Sequence, residues 1–310
     1  MSDTTAHFRL LTQSDFDGLA CATLLHNLGL LSELKFVHPR EMEEGLIAVG
    51  KQDIVCDLPY VEGVHLVFNH DFGEQLRVGE KENHIVEQGA SSAARVLYDY
   101  YGGAAAFPDI SEEMLVAVDK GDAADFTREE VLHPERWVLL NFILDLRTGL
   151  GRFRNFRVSN HELMLSLMDD INRHSIDELL KLPDVGERVE LYFRHQEPFK
   201  KQVTNTAEVH TNALLFDLRG LDTIYAGNRF VKYALFPDAN ISIQVMWGFE
   251  RRNTVITMGK SIFNRTSKVN VGSLMRRYRG GGHEAAGTCQ VENNNADTVI
   301  AALLDEVRDT

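Results

Sequence analysis

The sequence predicts an α/β protein of two domains: a larger N-terminal domain built on a parallel sheet with helices packed on it, and a smaller C-terminal α/β domain. Three observations carry this reading. The chain has 310 residues, more than the roughly 250–300 at which single cores stop growing. Its first part alternates short apolar runs with helical stretches, the spacing of strand-helix-strand units. After a long, polar, charged stretch that ends near Ala207, the pattern becomes β-rich.

Taken in order, Phe8-Arg9-Leu10-Leu11 reads as a strand. Residues 18–28 read as a helix with Leu19, Ala22, Leu25 and Leu28 near one face. Further strands are expected at 34–37, at Asp53–Cys56 and at 64–68, separated by turns such as Leu58-Pro59-Tyr60. From Ser91 to about Ala207 the chain reads as mostly helical, with Ser91 or Ser92 as an N-cap and Gly102-Gly103 as a stop. Residues 186–207 are expected to form a helical linker between a first domain, 1–185, and a second, 208–310. Beyond it, strands are expected at 213–218, 230–236, Ile241–Trp247 and 254–258. A helix near 271–278, a glycine run, a strand near 288–291 and a closing helix from Ala296 complete the pattern.

Composition narrows the function classes. Apolar residues make up 44% and charged residues 25%, an ordinary globular balance. No apolar run approaches the roughly 18 residues of a membrane span. The start, Met1 to His7, lacks the basic region and apolar core of a signal peptide, so a cytoplasmic protein is expected. Cys21, Cys56 and Cys289 form no CxxC pair, which excludes a disulfide scaffold and a cysteine-built zinc site. The net charge of −14 comes from 46 acids against 32 bases, and it disfavours long duplex nucleic acid or an anionic membrane as a partner of the whole chain. The imbalance is also uneven. Residues 205–310 carry a net +1 and residues 1–204 a net −15, while 258–283 holds Lys260, Arg265, Lys268, Arg276, Arg277 and Arg279 with no acid.

Four polar clusters stand where strands or helices end. Gln13-Ser14-Asp15-Phe16-Asp17-Gly18 follows the first strand and opens a helix. Carboxylates on such a turn sit where open α/β sheets bind ligands, and oxygen donors suit Mg or Mn. Either Asp15 or Asp17 also suits the N-cap of that helix. Asp57 ends the second of these segments, Asn69-His70-Asp71 the third, and Asp119-Lys120-Gly121-Asp122 the fourth. Together they suggest one rim collecting Asp15, Asp17, Asp57, His70 and Asp119, with Asp122 and Asp125 read as a solvated helix end. No Ser-His-Asp elbow or Walker lysine accompanies them.

With the C-terminal Gly280-Gly281-Gly282-His283-Glu284-Ala285-Ala286-Gly287, this ordered set resembles the DHH phosphoesterases, in particular their exopolyphosphatase-like branch with an associated C-terminal DHHA1 domain. The resemblance runs from Leu11 to Gln290. It implies an N-terminal DHH domain, a DHHA1 domain that binds substrate phosphate, and a two-metal centre, usually manganese, that hydrolyses phosphoester or phosphoanhydride bonds. By position, Asp15 would bind the first metal, Asp57 would bridge both, and Asp17, His70 and Asp119 would complete the second. Paired cations acidify a bridging water and neutralise phosphoryl oxygens, so no side-chain nucleophile is required.

The sequence departs from that pattern at Gln13, a neutral amide where His or Asp is usual, and in Asn69-His70-Asp71 where the family has Asp-His-His. The second site keeps four protein ligands and the first only Asp15 and the bridge, so one well-held and one weak metal are expected. Asp71 either opposes substrate phosphate or turns inward as a further ligand. In the basic segment, Arg265 and His283 are the expected phosphate contacts, with Gly280, Gly281 and Gly282 letting backbone N–H groups approach an anion, or else only forming a tight turn. The substrate class is a small phosphate-rich molecule: a short oligonucleotide, a nucleotide bisphosphate, a linear or cyclic dinucleotide, or polyphosphate. The alternative is an impaired member that binds nucleotide or phosphate without cutting it. A homodimer is compatible with either.

Overall fold

The structure, a computed structural model, describes residues 7–70, 72–153 and 155–308. The chain divides into two compact units, Met1–Phe126 with Pro134–Glu190, and Thr127–His133 with Leu191–Thr310. The division falls inside one helix, Pro183–Thr206, which carries Pro198 in its interior.

In the first unit, β1 (Phe8–Thr12), β2 (Leu31–Phe36), β3 (Asp53–Cys56), β4 (Leu66–Asn69) and β5 (His84–Val86) form a parallel sheet in the order β2-β1-β3-β4-β5. The order reverses at β1, with β2 on one side and β3 on the other. Connections leave the carboxyl ends of β1 and β3 in opposite directions, which makes this a switch point of the sheet, the place where open α/β sheets bind ligands. The pleat sorts the strands. Leu10, Ile54 and Phe68 face one apolar cluster, while Leu11, Val55 and Val67 face another that contains Val37, Met42, Leu58 and Val64.

The helix Phe16–Asn27 is buried at every position from Phe16 to Leu25. The expected single apolar face is therefore an understatement. Gly18, Ala20, Cys21 and Ala22 are small enough to let the helices Ala93–Tyr100, Glu112–Asp122 and Asn160–Asp170 pack close around it. β5 escaped the sequence reading because three residues are too few to show a period.

In the second unit, β6 (Ala207–His210), β7 (Ala213–Asp217), β8 (Ile241–Trp247), β9 (Thr254–Lys260), β10 (Gly281–Gly282) and β11 (Ala286–Val291) form a sheet in the order β10-β11-β9-β8-β7-β6. Only β7 and β8 pair in parallel. The helices Val271–Arg276 and Ala296–Val307 cover it, with Val271, Met275, Ile300, Leu303 and Val307 packing on Ile243, Ile256 and Cys289.

One expected strand is a helix. Residues 230–236 read as β within a β-rich stretch, but Val231–Leu235 is helical. The Asn228 side chain accepts from the Phe230 N–H at 2.9 Å, and its carbonyl accepts from Val231 at 3.1 Å, which starts a turn. Tyr233 is then buried with its hydroxyl 2.7 Å from that of Ser242 on β8. Local hydrogen bonding at Asn228 outweighs the β pattern. Cys21, Cys56 and Cys289 are buried free thiols. Among the described residues, no helix is long and apolar enough to cross a membrane.

Candidate metal centre

The carboxyl ends of β1, β3 and β4 deliver the polar residues of the first unit to the switch point. After Thr12 the chain folds back so tightly that a Cβ on Gly18 would lie 2.0 Å from the Gln13 carbonyl oxygen, so only glycine fits there. Both acids of this turn act as caps, on different helices. Asp15 is the N-cap of Phe16–Asn27 and accepts from the Gly18 N–H at 3.0 Å. Asp17 is buried and reaches the start of Ala93–Tyr100, accepting from Ala93 at 3.1 Å and Ala94 at 2.8 Å. Open N–H groups at a helix start stabilise a carboxylate there.

Asp57 follows β3 in a left-handed conformation, φ +52°, which few residues other than glycine adopt without cost. Its N–H donates to Phe68 at 3.1 Å. Gln13 Nε2 donates to the Asp57 carbonyl at 3.0 Å and to its carboxylate. The amide that is a poor metal ligand thus fixes the position of the carboxylate beside it. His70, directly after β4, places Nε2 2.7 Å from Asp122 Oδ2 and 3.6 Å from Asp57 Oδ1. One donor atom from each of Asp57, His70 and Asp122 lies within 4.8 Å of the others.

The electrostatics of this cluster are those of excess negative charge. Burial, followed by the Asp57 and Asp122 carboxylates, pushes Asp15 up to about 7. Burial, then Asp122, Asp57 and Asp15, raises Asp17 well above the ordinary carboxylate range. Asp57 is raised by burial and then by Asp122, against the opposing pull of His70 and Gln13. Burial works against the His70 imidazolium, yet Asp122 and Asp57 outweigh it and raise the group to about 11. Four carboxylates therefore share one imidazolium, whose proton stands where a divalent cation would supply charge. Oxygen donors with one imidazole, partly buried and short of positive charge, fit a hard or borderline divalent cation.

The structure places one expected ligand outside this cluster. Asp119, expected as a ligand, is committed elsewhere: its Oδ2 accepts from Arg95 Nε at 3.0 Å and Nη2 at 2.8 Å, and its Oδ1 accepts from the Ser92 hydroxyl at 2.6 Å. Asp122, read from sequence as a solvated helix end, contacts His70 instead. The two acids lie three residues apart on Glu112–Asp122, so both project to nearly the same side. Ser92 and Arg95, at the start of another helix, separate their roles, and nothing in the sequence marks that pairing.

The altered motif also has a local structural basis. Asn69 is buried, donates from Nδ2 to the Leu58 carbonyl at 3.1 Å, and accepts from His84 Nε2 at 2.9 Å. It orients the β4–β5 edge of the sheet and not the His70 ring. Burial lowers the His84 pKa and keeps that imidazole neutral, so a neutral amide is its suitable partner. Asp71 lies outside the described residues.

In the second unit, the glycine run packs tightly. A Cβ on Gly280 would lie 2.1 Å from the Thr288 carbonyl oxygen, and one on Gly272 would lie 2.2 Å from that of Gly282. Gly282 adopts φ +145°. The N–H groups of Gly280 and His283 donate to Met275 at 3.0 Å and Ala286 at 2.8 Å, which leaves Gly281 and Gly282 in the short β10–β11 pairing. The glycines thus answer first to close packing, the tight-turn alternative. The Arg265 and His283 side chains are exposed, and Arg265 Nε donates to the Ile262 carbonyl at 3.0 Å.

No family model and no curated protein matches the chain. Among solved structures, a pGpG-specific phosphodiesterase, PggH, from Vibrio cholerae is 51% identical, with 97% of this chain and 98% of that one covered and a TM-score of 0.82. RecJ from Thermus thermophilus, solved with Mg2+, is 16% identical over 98% of this chain and 50% of that one, with a TM-score of 0.52. CDC45 from Entamoeba histolytica is 9% identical over 97% of this chain and 95% of that one, with a TM-score of 0.51. The last two are similar in fold alone. Given half-identity over nearly the full length of a phosphodiesterase, and acids gathered beside His70 at the switch point of the sheet, the chain belongs to the DHH/DHHA1 family of phosphoesterases.

Proposed function

We propose that this chain hydrolyses the phosphodiester bond of a short linear dinucleotide of the pGpG type, with a divalent cation held by Asp57, His70 and Asp122 and supported by Asp15 and Asp17. The observation that carries the chemistry is the convergence of three donors within 4.8 Å beside the buried Asp17 and the partly buried Asp15. The 51% identical relative supports the substrate class. Manganese is the first choice of metal and magnesium the second. When bound, such a cation acidifies a water and neutralises phosphoryl oxygens during in-line attack.

The protein's own part in this reading is positional. Gln13 holds Asp57, whose carboxylate would help to hold the metal. Asp17 is fixed by two helix amides, so its orientation is set before any ligand arrives. One well-held cation and one weaker one remain the proposed stoichiometry, since Gln13 replaces a ligand of the first site. Arg265 and His283, beside Gly280 to Gly282, are proposed to take a substrate phosphate. Exopolyphosphatase-like cleavage of linear polyphosphate is the competing chemistry. Binding without turnover is the second reading, and Gln13 is the departure that favours it.

A hydrolysis panel tests these alternatives: pGpG, a cyclic dinucleotide, 3′-phosphoadenosine 5′-phosphate and tripolyphosphate, each with Mn or Mg and with a chelator. Conversion of pGpG to GMP that stops on chelation is the expected result. Tight pGpG binding with no GMP formed would transfer support to the second reading, and faster tripolyphosphate cleavage would transfer it to the polyphosphate chemistry.

A further inference from the structure

The acidic half of the chain contains one segment of opposite character. Residues 146–157 hold Arg147, Arg152, Arg154 and Arg157 without a single acid. Two side-chain contacts tie the flanks of this segment to the metal-centre loops of the same unit. On one side, Asn141 packs against Gly121 so closely that a Cβ there would lie 2.4 Å from Asn141 Oδ1, and Gly121 precedes Asp122. On the other, Asn160 Nδ2 donates to the Ser14 hydroxyl at 3.2 Å, and Ser14 precedes Asp15. The turn between them is therefore held beside both acids.

The turn is itself a built feature. Asp145 is buried and accepts from the Arg147 N–H at 2.9 Å and from Arg147 Nε at 2.7 Å. Thr148 is buried and donates to the Phe142 carbonyl at 2.6 Å. Gly149, at φ +81°, leaves room for the Arg152 guanidinium, which would lie 2.2 Å from a Cβ at that position. The Arg147 side chain is anchored through Nε yet 56% exposed, and among the described residues its two terminal amino groups have no hydrogen-bond partner. An arginine needed only to fix a turn has no use for a fork presented this way. A fork held by its stem and open at its tip matches a phosphate.

We propose that Arg147 grips the non-bridging oxygens of the phosphate that lies at the acid cluster, making it a substrate-contacting residue supplied by the metal-binding unit. This rests on the dinucleotide reading given above. The electrostatics agree with the placement. The Arg147 charge acts to lower the Asp15 carboxyl. Against the cost of desolvation, Asp145 and then Asp15 and Asp122 favour the charged guanidinium. A cation here relieves the repulsion that four carboxylates exert on an incoming phosphate, and its charge is the same at every working pH.

The test is steady-state hydrolysis of pGpG with Mn by the wild type, Arg147→Ala and Arg147→Lys, with Mn affinity measured in parallel. Arg147→Ala is expected to lose about 100-fold or more in kcat/KM, the scale of one missing donor to a developing charge. Arg147→Lys should recover part of that loss, and Mn affinity should stay within about twofold in both variants. Activity of Arg147→Ala within about threefold of wild type overturns the proposal, because a phosphate clamp contributes more than that. If Arg147→Ala folds poorly, Arg147→Gln keeps the stem and bears the same expectation. If the wild type leaves pGpG uncut, the dinucleotide reading fails, and the arginine is judged by inorganic phosphate binding to the Mn-loaded protein. A loss of about tenfold in Arg147→Ala then supports it, and an unchanged Kd overturns it.

Discussion

Replacing Asp15 with asparagine should stabilise the metal-free protein and destabilise the metal-loaded one. Asparagine caps a helix about as well as aspartate, so the bond from the Gly18 N–H is retained and only the charge is lost. Asp15 is pushed from 3.8 up to about 7 by burial and by Asp57 and Asp122. Below about pH 4 the carboxyl is protonated in both the folded and the unfolded chain, and the group is neutral to stability. As the pH rises toward about 7, the unfolded chain gives up the proton first, and the folded state loses stability until its own carboxyl ionises. At about 1.4 kcal/mol per pH unit, the full penalty is at most about 4 kcal/mol, and partial exposure of Asp15 trims it to about 2–4 kcal/mol. In EDTA, Asp15→Asn should match the wild type near pH 4 and melt higher by on the order of 5 °C at pH 8. With excess Mn the order should invert, because the anion then has a cation to neutralise. Differential scanning fluorimetry across this pH range reads both effects. A melting difference in EDTA that stays flat from about pH 4 to pH 8 would show that Asp15 feels no uncompensated charge, and the account of the cluster would fall with it.

Four further outcomes follow from the same geometry. Mn binding at about pH 7.5 should release protons, among them that of His70, which Asp122 and Asp57 raise to about 11 against the opposing effect of burial; calorimetry in two buffers of different ionisation enthalpy reads this, and zero release would contradict it. Asp122→Asn should weaken Mn binding by about 10–100-fold or more, whereas Asp119→Asn should leave Mn affinity nearly intact and lower thermal stability through Arg95 and Ser92; the reverse pattern would restore Asp119 as the ligand. Asn69→Asp should cost about 1–3 kcal/mol, since a carboxylate cannot donate to the Leu58 carbonyl as the amide does, and a rise in activity from this change alone would mark Asn69 as a decayed ligand. Gly18→Ala should cost more than about 3 kcal/mol or prevent folding, as its Cβ has no space beside Gln13; a soluble variant with wild-type melting would refute the tight turn.

How far the sequence could be read depended on what kind of physical signal each residue leaves. β1, β3 and β8 were legible because apolar runs bounded by turn residues leave a pattern. Asp15, Asp17, Asp57 and His70 were legible because they follow such runs, and a parallel sheet brings its carboxyl ends together whatever the details of packing. The helix Val231–Leu235 was not, because a single Asn228 side chain decides it. Asp122 was not, because Asp119 has the same residue type, the same helix and nearly the same face. What tells the two acids apart is a long-range fact, that Arg95 is carried to Asp119 by the helix whose start holds Asp17.

That arrangement links the parts of the centre. The amides of Ala93 and Ala94 hold Asp17, Ser92 and Arg95 hold Asp119, and Asp119 fixes the helix whose last residue is Asp122. One helix start thus sets the position of two acids, one directly and one through Asp119. Four carboxylates held this way cannot relax apart to ease their repulsion, as acids on loose loops would. Burial first, and then rigidly held neighbouring charge, raises the Asp15, Asp17 and Asp57 carboxyls, and a divalent cation bound there would relieve that cost. The neutral Asn69–His84 pair and the Gln13 amide then make sense as parts of the same balance: each orients an element beside the cluster by hydrogen bonds, adding no charge to a place that already has too much of one sign.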